Sequence, residues 1–326
     1  MRLAELFETL DLPDDNDGGI FSAMPIPDYP TFRIAVDSFG FPILLLTIAN
    51  RGKVGILKNF KLKYLQLIQN VDCKIIESGK TTEQQFTVIK FTCDDKLLQN
   101  YFLQIAEPFL KSLNSKPTQE QVTHSFNRFI EVFRALSDVP TKTIQGLWSE
   151  LFFIDNCNSP EVMLKYWHQI PEEKFDFNSG IEKIEVKSSG NFERIHIFSS
   201  EQLHPPAGDQ VIIVSLFVRQ SSSGKTVQDL IENITSKISD IELLEKMNSI
   251  VCKTLGSSLE QSLKIKFDYT IAQDSMRLYK HQDIVKIEEV HIPNEVSEVK
   301  YKSDLTNIKS LEFTKYEPKN ALYNAI

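Results

Sequence analysis

Long apolar runs are missing from this chain. The longest, Phe41 to Ile48, is far too short to span a bilayer, so no membrane-crossing segment is expected. Cysteine is scarce: Cys73, Cys93, Cys157 and Cys252 stand singly, with no CxxC spacing, so reduced and partly buried thiols are expected rather than a disulfide framework. None of the six histidines is paired at metal-site spacing alongside a cysteine, which argues against a structural zinc. An excess of positive charge is also lacking. The formal net charge of −8 argues against a protein that coats nucleic acid electrostatically, but not against a site whose acids are neutralised by a cation. The first ten residues place acids where a signal peptide would be basic and then apolar, so export is not expected and the chain reads as cytoplasmic.

What is there is the composition of a soluble globular protein, 41% apolar and 25% charged, over 326 residues, enough for two or three cores. The first 115 residues or so are β-rich with a helical end. Phe32 to Val36, Phe41 to Ile48, Leu57 to Ile68 and Phe86 to Phe91 have the β-branched and aromatic content of strands. A helix follows Asp94-Asp95 to Leu113. A second begins at Thr118, with Gln121 in capping-box spacing and a stripe of Val122, Phe126, Phe129, Ile130, Phe133 and Leu136. Pro140 punctuates the chain. Next come a helix with Ile144, Leu147, Leu151 and Ile154 on one stripe and Glu150 at its edge, then a short helix opened by Ser159-Pro160. Strands are expected at Lys174 to Phe177, Ile181 to Lys187, Phe192 to Phe198 and Gln210 to Val218, and a helix from Thr226. The expected division is a β-rich region 1–137, a core 138–240 and an α+β region 241–326.

Within that core the strand Ile181-Glu-Lys-Ile-Glu-Val-Lys187 carries chemistry. Side chains alternate along a strand, so Glu185 and Lys187 project to one face, roughly 7 Å apart, while Ile184 and Val186 face a core. Asp176 precedes them in Phe-Asp-Phe, and Glu150 comes from the upstream helix. Phosphodiester cleavage calls for a hard cation on carboxylate oxygens and a positive group beside the attacking water. Asp176, Glu185 and Glu150 would be the metal ligands, for Mg²⁺ or Mn²⁺. Lys187 would orient or deprotonate the water, or neutralise charge on the phosphate. A tight hairpin turning at Asn178-Ser179-Gly180 would leave Asp176 about three residues, or about 10 Å, out of line with Glu185. A bulge would repair this; otherwise Glu172 or Glu173 would stand in. Arg194 and His196 alternate with Ile195 and Ile197, so both face one way, either towards the phosphates or towards solvent. Gln202 either polarises a neighbour or caps the next helix.

The ordered set Glu, Asp and Glu-x-Lys is the signature of the PD-(D/E)XK nuclease superfamily. Gly146 to Ile154, Phe-Asp-Phe, Ile-Glu-Val-Lys-Ser-Ser and Arg194 to Leu203 together resemble a bacterial family of PD-(D/E)XK motif proteins found in restriction and phage-defence gene clusters. The resemblance is specific between about residues 146 and 203. It implies a restriction-endonuclease-like α/β core, α-β-β-β-α-β, with a mixed sheet flanked by helices. It implies a Mg²⁺-dependent DNA endonuclease with Glu150, Asp176, Glu185 and Lys187 catalytic and Arg194, His196 and Gln202 accessory. It also implies partners such as an ATPase of the same gene cluster. A nuclease-fold interaction module without chemistry is the alternative.

Two further stretches invite comparison. Ser223-Gly-Lys-Thr226 looks like the end of a phosphate-binding loop, but Arg219 stands where that motif needs glycine. Between Asp37 and Asp72 there is no acid, while Arg51, Lys53, Lys58, Lys61 and Lys63 fall there. Lysines alternating with Phe60, Leu62 and Tyr64 would give a strand one basic face, suited to a DNA backbone or simply to solvent.

Overall fold

The computed structural model describes residues 2–14, 19–47, 59–113, 117, 119–137, 143–169, 173–293, 295–312 and 320–326. The chain is mixed α/β. It divides into two compact units: 1–140 with 244–260, and 141–243 with 261–326. The three consecutive regions expected from the sequence are not how the contacts divide. Residues 244–260 belong with the first unit, and residues 261–326 complete the second.

The first unit contains α1 (Leu3–Glu8), β1 (Ile20–Ile26), β2 (Tyr29–Val36), β3 (Pro42–Leu46), β4 (Phe60–Lys61), β5 (Leu65–Glu77), β6 (Lys80–Phe91), α2 (Lys96–Lys111) and α3 (Gln119–Arg134). Strand order is β1-β2-β3-β6-β5-β4, and β1 also pairs in parallel with β5, so five strands close into a ring. Closure removes the open edges that a sheet of this size would otherwise expose. Two of the hairpins have two-residue turns: Pro27-Asp28, and Ser78-Gly79 with both residues at positive φ, the backbone that matches strand twist. The asparagine-free sequence at the second turn is therefore held by Ser78 as well as by Gly79. Asp95 caps α2 by accepting from the backbone of Leu97 and Leu98. Phe91, Phe102, Phe109, Phe126, Phe129 and Phe133 fill the space around α2 and α3 with ring centres 4.7–6.1 Å apart.

One expected strand is corrected here. Residues 59–68 form no single strand, because the chain turns back between β4 and β5, Leu62 donating its amide to the Leu65 carbonyl. The alternating lysine face is therefore not built: Lys61 lies in β4 and Lys63 in the turn, its ammonium 4.5 Å from the Tyr64 ring centre. Arg51, Lys53 and Lys58 lie outside the described residues, as do Thr118, Pro140 and Glu172.

The second unit runs α4 (Ile144–Asn156), α5 (Pro160–Tyr166), β7 (Phe177–Asn178), β8 (Glu182–Ser189), β9 (Ile195–Ser199), α6 (Ser200–Leu203), β10 (Gln210–Phe217), β11 (Gln220–Lys225) and α7 (Val227–Ser236). After α8 (Ile241–Leu255), most of which belongs to the first unit, and α9 (Leu259–Ser262) come α10 (Tyr269–Ser275), β12 (Arg277–Lys280), β13 (Lys300–Asp304) and α11 (Ala321–Asn324). The sheet order is β12-β10-β8-β7, with β8 and β10 parallel and both outer pairings antiparallel. β8 and β10 are buried on both faces, as a parallel pair covered by helices must be, and α4 packs on β8 and on α7. The expected helices and strands are present, with β11 as an additional strand, but they do not all join one sheet. β9 joins β13 in a separate two-stranded sheet instead of extending the β7–β8 meander. The last residues are tied to the start of β8: the buried Glu182 carboxylate accepts from the amides of Asn320 and Tyr323.

All four cysteines are free and buried, and among the described residues no helix is long and apolar enough to cross a membrane.

Candidate metal and phosphodiester site

The site is set by where β7 stops. Its two residues pair as Phe177 with Ile184 and Asn178 with Lys183. The turn is thus Ser179 to Glu182, with Gly180 at φ +98, and not Asn178 to Gly180. Extending the register by one residue puts Asp176 opposite Glu185, so neither a bulge nor a substitute acid is needed. Past Phe177 the backbone of β7 no longer serves that edge of β8. The Asp176 side chain takes over, its Oδ2 accepting from the Val186 amide at 2.8 Å.

Glu150 arrives from α4, which Thr143 caps through a 3.0 Å bond from the Gly146 amide. The helix is buried from Leu147 to Asp155, and Glu150 itself is only 3% exposed. A carboxylate so placed needs partners. Its Oε2 accepts from the Trp167 indole at 2.8 Å and lies 2.7 Å from His168 Nε2. His168 Nε2 is also 3.8 Å from Asp176 Oδ1. The His168 backbone sits at φ +41, and its amide donates to the Asp176 carbonyl at 3.0 Å. That conformation is costly for a non-glycine residue and persists only where its surroundings impose it, which here aims the imidazole at two acids. One ligand atom each from Glu150, His168 and Asp176 lies within 4.8 Å of the others.

Glu185 stands outside this triplet and is ion-paired with Lys187, Oε1 to Nζ 2.7 Å. The pair shares a face, as strand alternation requires, and the Lys187 side chain keeps a fifth of its surface open to solvent. Lys187 pairs across the sheet with Ser215, on which two of the three expected accessory residues converge. Arg194 donates to the Ser215 carbonyl and hydroxyl, both at 2.9 Å, and also to the Ser275 carbonyl. His196 Nε2 is 2.8 Å from Ser215 Oγ. Burial, reinforced by the charges of Lys187 and Arg194, pushes the His196 pKa down to about 4, so this imidazole is neutral at neutral pH. Arg194 and His196 are thus hydrogen-bonded to Ser215, the cross-strand partner of Lys187. Gln202 takes the capping alternative: its Oε1 accepts from the Ser199 amide at 3.2 Å, and its Nε2 donates to the Lys174 carbonyl at 2.9 Å. Lys61 and Lys63 belong to the first compact unit, not to the unit that carries this site.

His168 is the residue that reading the sequence missed. Its signal was weak: a histidine beside a tryptophan, eight residues before Asp176, with no second histidine or cysteine to mark a metal site.

The donor set, two carboxylates and an imidazole, suits a divalent cation. Comparison with known families agrees with this chemistry: a family model described as "Putative PD-(D/E)XK family member, (DUF4420)" matches residues 3–306. No curated protein and no solved structure matches the chain.

Proposed function

The chain belongs to that PD-(D/E)XK family, and from this premise we propose that it is a metal-dependent endonuclease hydrolysing DNA phosphodiester bonds. The observation that carries the reading is the meeting of Glu150, His168 and Asp176 within 4.8 Å from separate segments, with the Glu185–Lys187 pair on the neighbouring strand. Glu150, Asp176 and His168 would hold a Mg²⁺ or Mn²⁺ ion, with Glu185 joining from its place opposite Asp176. Such a cation polarises a phosphate oxygen and lowers the pKa of bound water.

The chain's own groups do the rest. Val186 and Trp167 fix Asp176 and Glu150 through their N–H groups, so these ligand oxygens are in position before any ion arrives. Lys187 supplies the positive charge that a phosphodiester anion and its transition state need, and it orients the attacking water. Glu185 holds that ammonium in place, and the Arg194–Ser215–His196 cluster packs behind it without adding a titrating acid. We assign the chain a restriction-endonuclease-like core working in the cytoplasm to restrict foreign DNA, alongside an ATPase of the same gene cluster.

The test is digestion of plasmid and linear DNA by the purified protein with Mg²⁺, Mn²⁺ or chelator. The parent should cut only with metal. Glu185→Ala and Lys187→Ala should both fold and fail to cut. Parental cleavage rates in both variants would sink the assignment.

A further inference from the structure

Beyond Lys187, β8 ends at Ser189 and Gly190 follows it, and this end of the sheet carries alternating cationic and aromatic side chains. The Arg194 guanidinium lies 4.6 Å from the Phe217 ring centre. Phe192 meets Phe217 edge-on, with ring centres 5.6 Å apart. The Arg219 guanidinium lies 5.0 Å from the Phe192 ring centre. The inner pair is packed into the fold, but the outer pair is not: Phe192 is 60% exposed and Arg219 is exposed as well. A large ring left in water contributes little to the core. Arg219 also borders a cavity of about 430 Å³, lined further by Gln145, Gly190, Val218, Gln220 and Phe267.

The sheet register places this feature next to the candidate site. Lys187 pairs with Ser215 and Ser189 with Phe217, and the Val218 amide donates to the Ser189 carbonyl at 2.8 Å. Gly190 therefore lies three residues past Lys187, about 10 Å along the strand. Gln145, one end of the cavity lining, is on the same helix as Glu150, and its Nε2 donates to Ser188 Oγ at 3.1 Å.

We propose that this stack and cavity form a subsite for an unpaired nucleotide of single-stranded DNA, adjacent to the phosphate held at Lys187. The inference rests on the nuclease reading above and narrows its substrate. Bases within a duplex have both faces covered by their neighbours. An unpaired base has a free π-face for Phe192, and aromatic and guanidinium platforms accept any base. Arg219 also supplies positive charge that follows a phosphate backbone. Gln145 and Gln220 bring amides, each a donor and an acceptor, to the cavity wall for a base edge.

The test uses the full chain with Ca²⁺ in place of Mg²⁺ and fluorescent DNA: a single strand containing 2-aminopurine, and a blunt duplex of equal length. The parent should prefer the single strand, with 2-aminopurine emission changing on binding. Phe192→Ala and Arg219→Ala should each weaken single-strand binding about tenfold and leave duplex binding unchanged. Gly190→Leu is a second approach, because Gly190 has no left-handed backbone and a side chain there grows into the cavity. It should give the same loss with Phe192 and Arg219 intact. A duplex preference in the parent overturns the subsite, and so does parental affinity in all three variants. Either result leaves the nuclease reading standing if the parent still cuts DNA. A parent that neither binds nor cuts any DNA overturns both.

Discussion

His168 and His196 lie in the same unit and do opposite work. His168 points at Glu150 and Asp176, so His168→Ala should lower Mn²⁺ affinity at least about tenfold in calorimetry while the fold survives. Mg²⁺ binding should fall less, because magnesium favours oxygen ligands over imidazole. Equal Mn²⁺ affinity in parent and variant would remove His168 from the site. His196 is buried and neutral, with its pKa pushed down to about 4 from the ordinary value near 6.5. As pH falls, the unfolded chain takes up this proton first. The stability linked to His196 is therefore fully present above about pH 6.5, falls between there and pH 4, and amounts to about 3 kcal/mol. Urea unfolding of parent and His196→Gln at pH 7 and pH 4.5 checks this: the variant should lose less stability on acidification. Parallel losses would assign the pH dependence to other groups.

At the scale of elements, much was legible because local rules decided it. Asp95 and Thr226 cap their helices as their residue types suggest, and the stripe from Val122 to Phe133 is buried. The face shared by Glu185 and Lys187 follows from strand period alone. What escaped was pairing over distance. Nothing within β9 says that its partner is β13, about a hundred residues on, and nothing local fixed the turn at Ser179 to Glu182, one step later than expected. His168 escaped for the same reason, since its value depends on Glu150 and Asp176 arriving from elsewhere. Long-range ties also hold the chain's last helix. Glu182→Ala would leave the Asn320 and Tyr323 amides without their acceptor, and should cost about 2–3 kcal/mol in urea unfolding. An unchanged midpoint would show that α11 stands without that anchor.

For the whole molecule, a net charge of −8 means that the proposed DNA substrate would be met by local cations and a metal rather than by bulk attraction. The acids of the site are assembled only in the folded chain, so Mg²⁺ or Mn²⁺ should raise the melting temperature by mass action. A hundredfold excess over Kd adds about 2.7 kcal/mol of stability. Ca²⁺ should stabilise as well while supporting little cleavage, since its looser geometry activates water less well. A melting temperature unmoved by millimolar Mg²⁺ and Mn²⁺ would favour a nuclease fold without chemistry. Glu150, His168 and Asp176 together make the proposed cation site, and Mn²⁺ titration followed by electron paramagnetic resonance reads it directly. The parent should bind Mn²⁺ in this site and quench the free-ion signal, while Asp176→Ala and Glu150→Gln, each folded by circular dichroism, should leave the ion in solution. Undiminished Mn²⁺ binding in both variants would contradict the account.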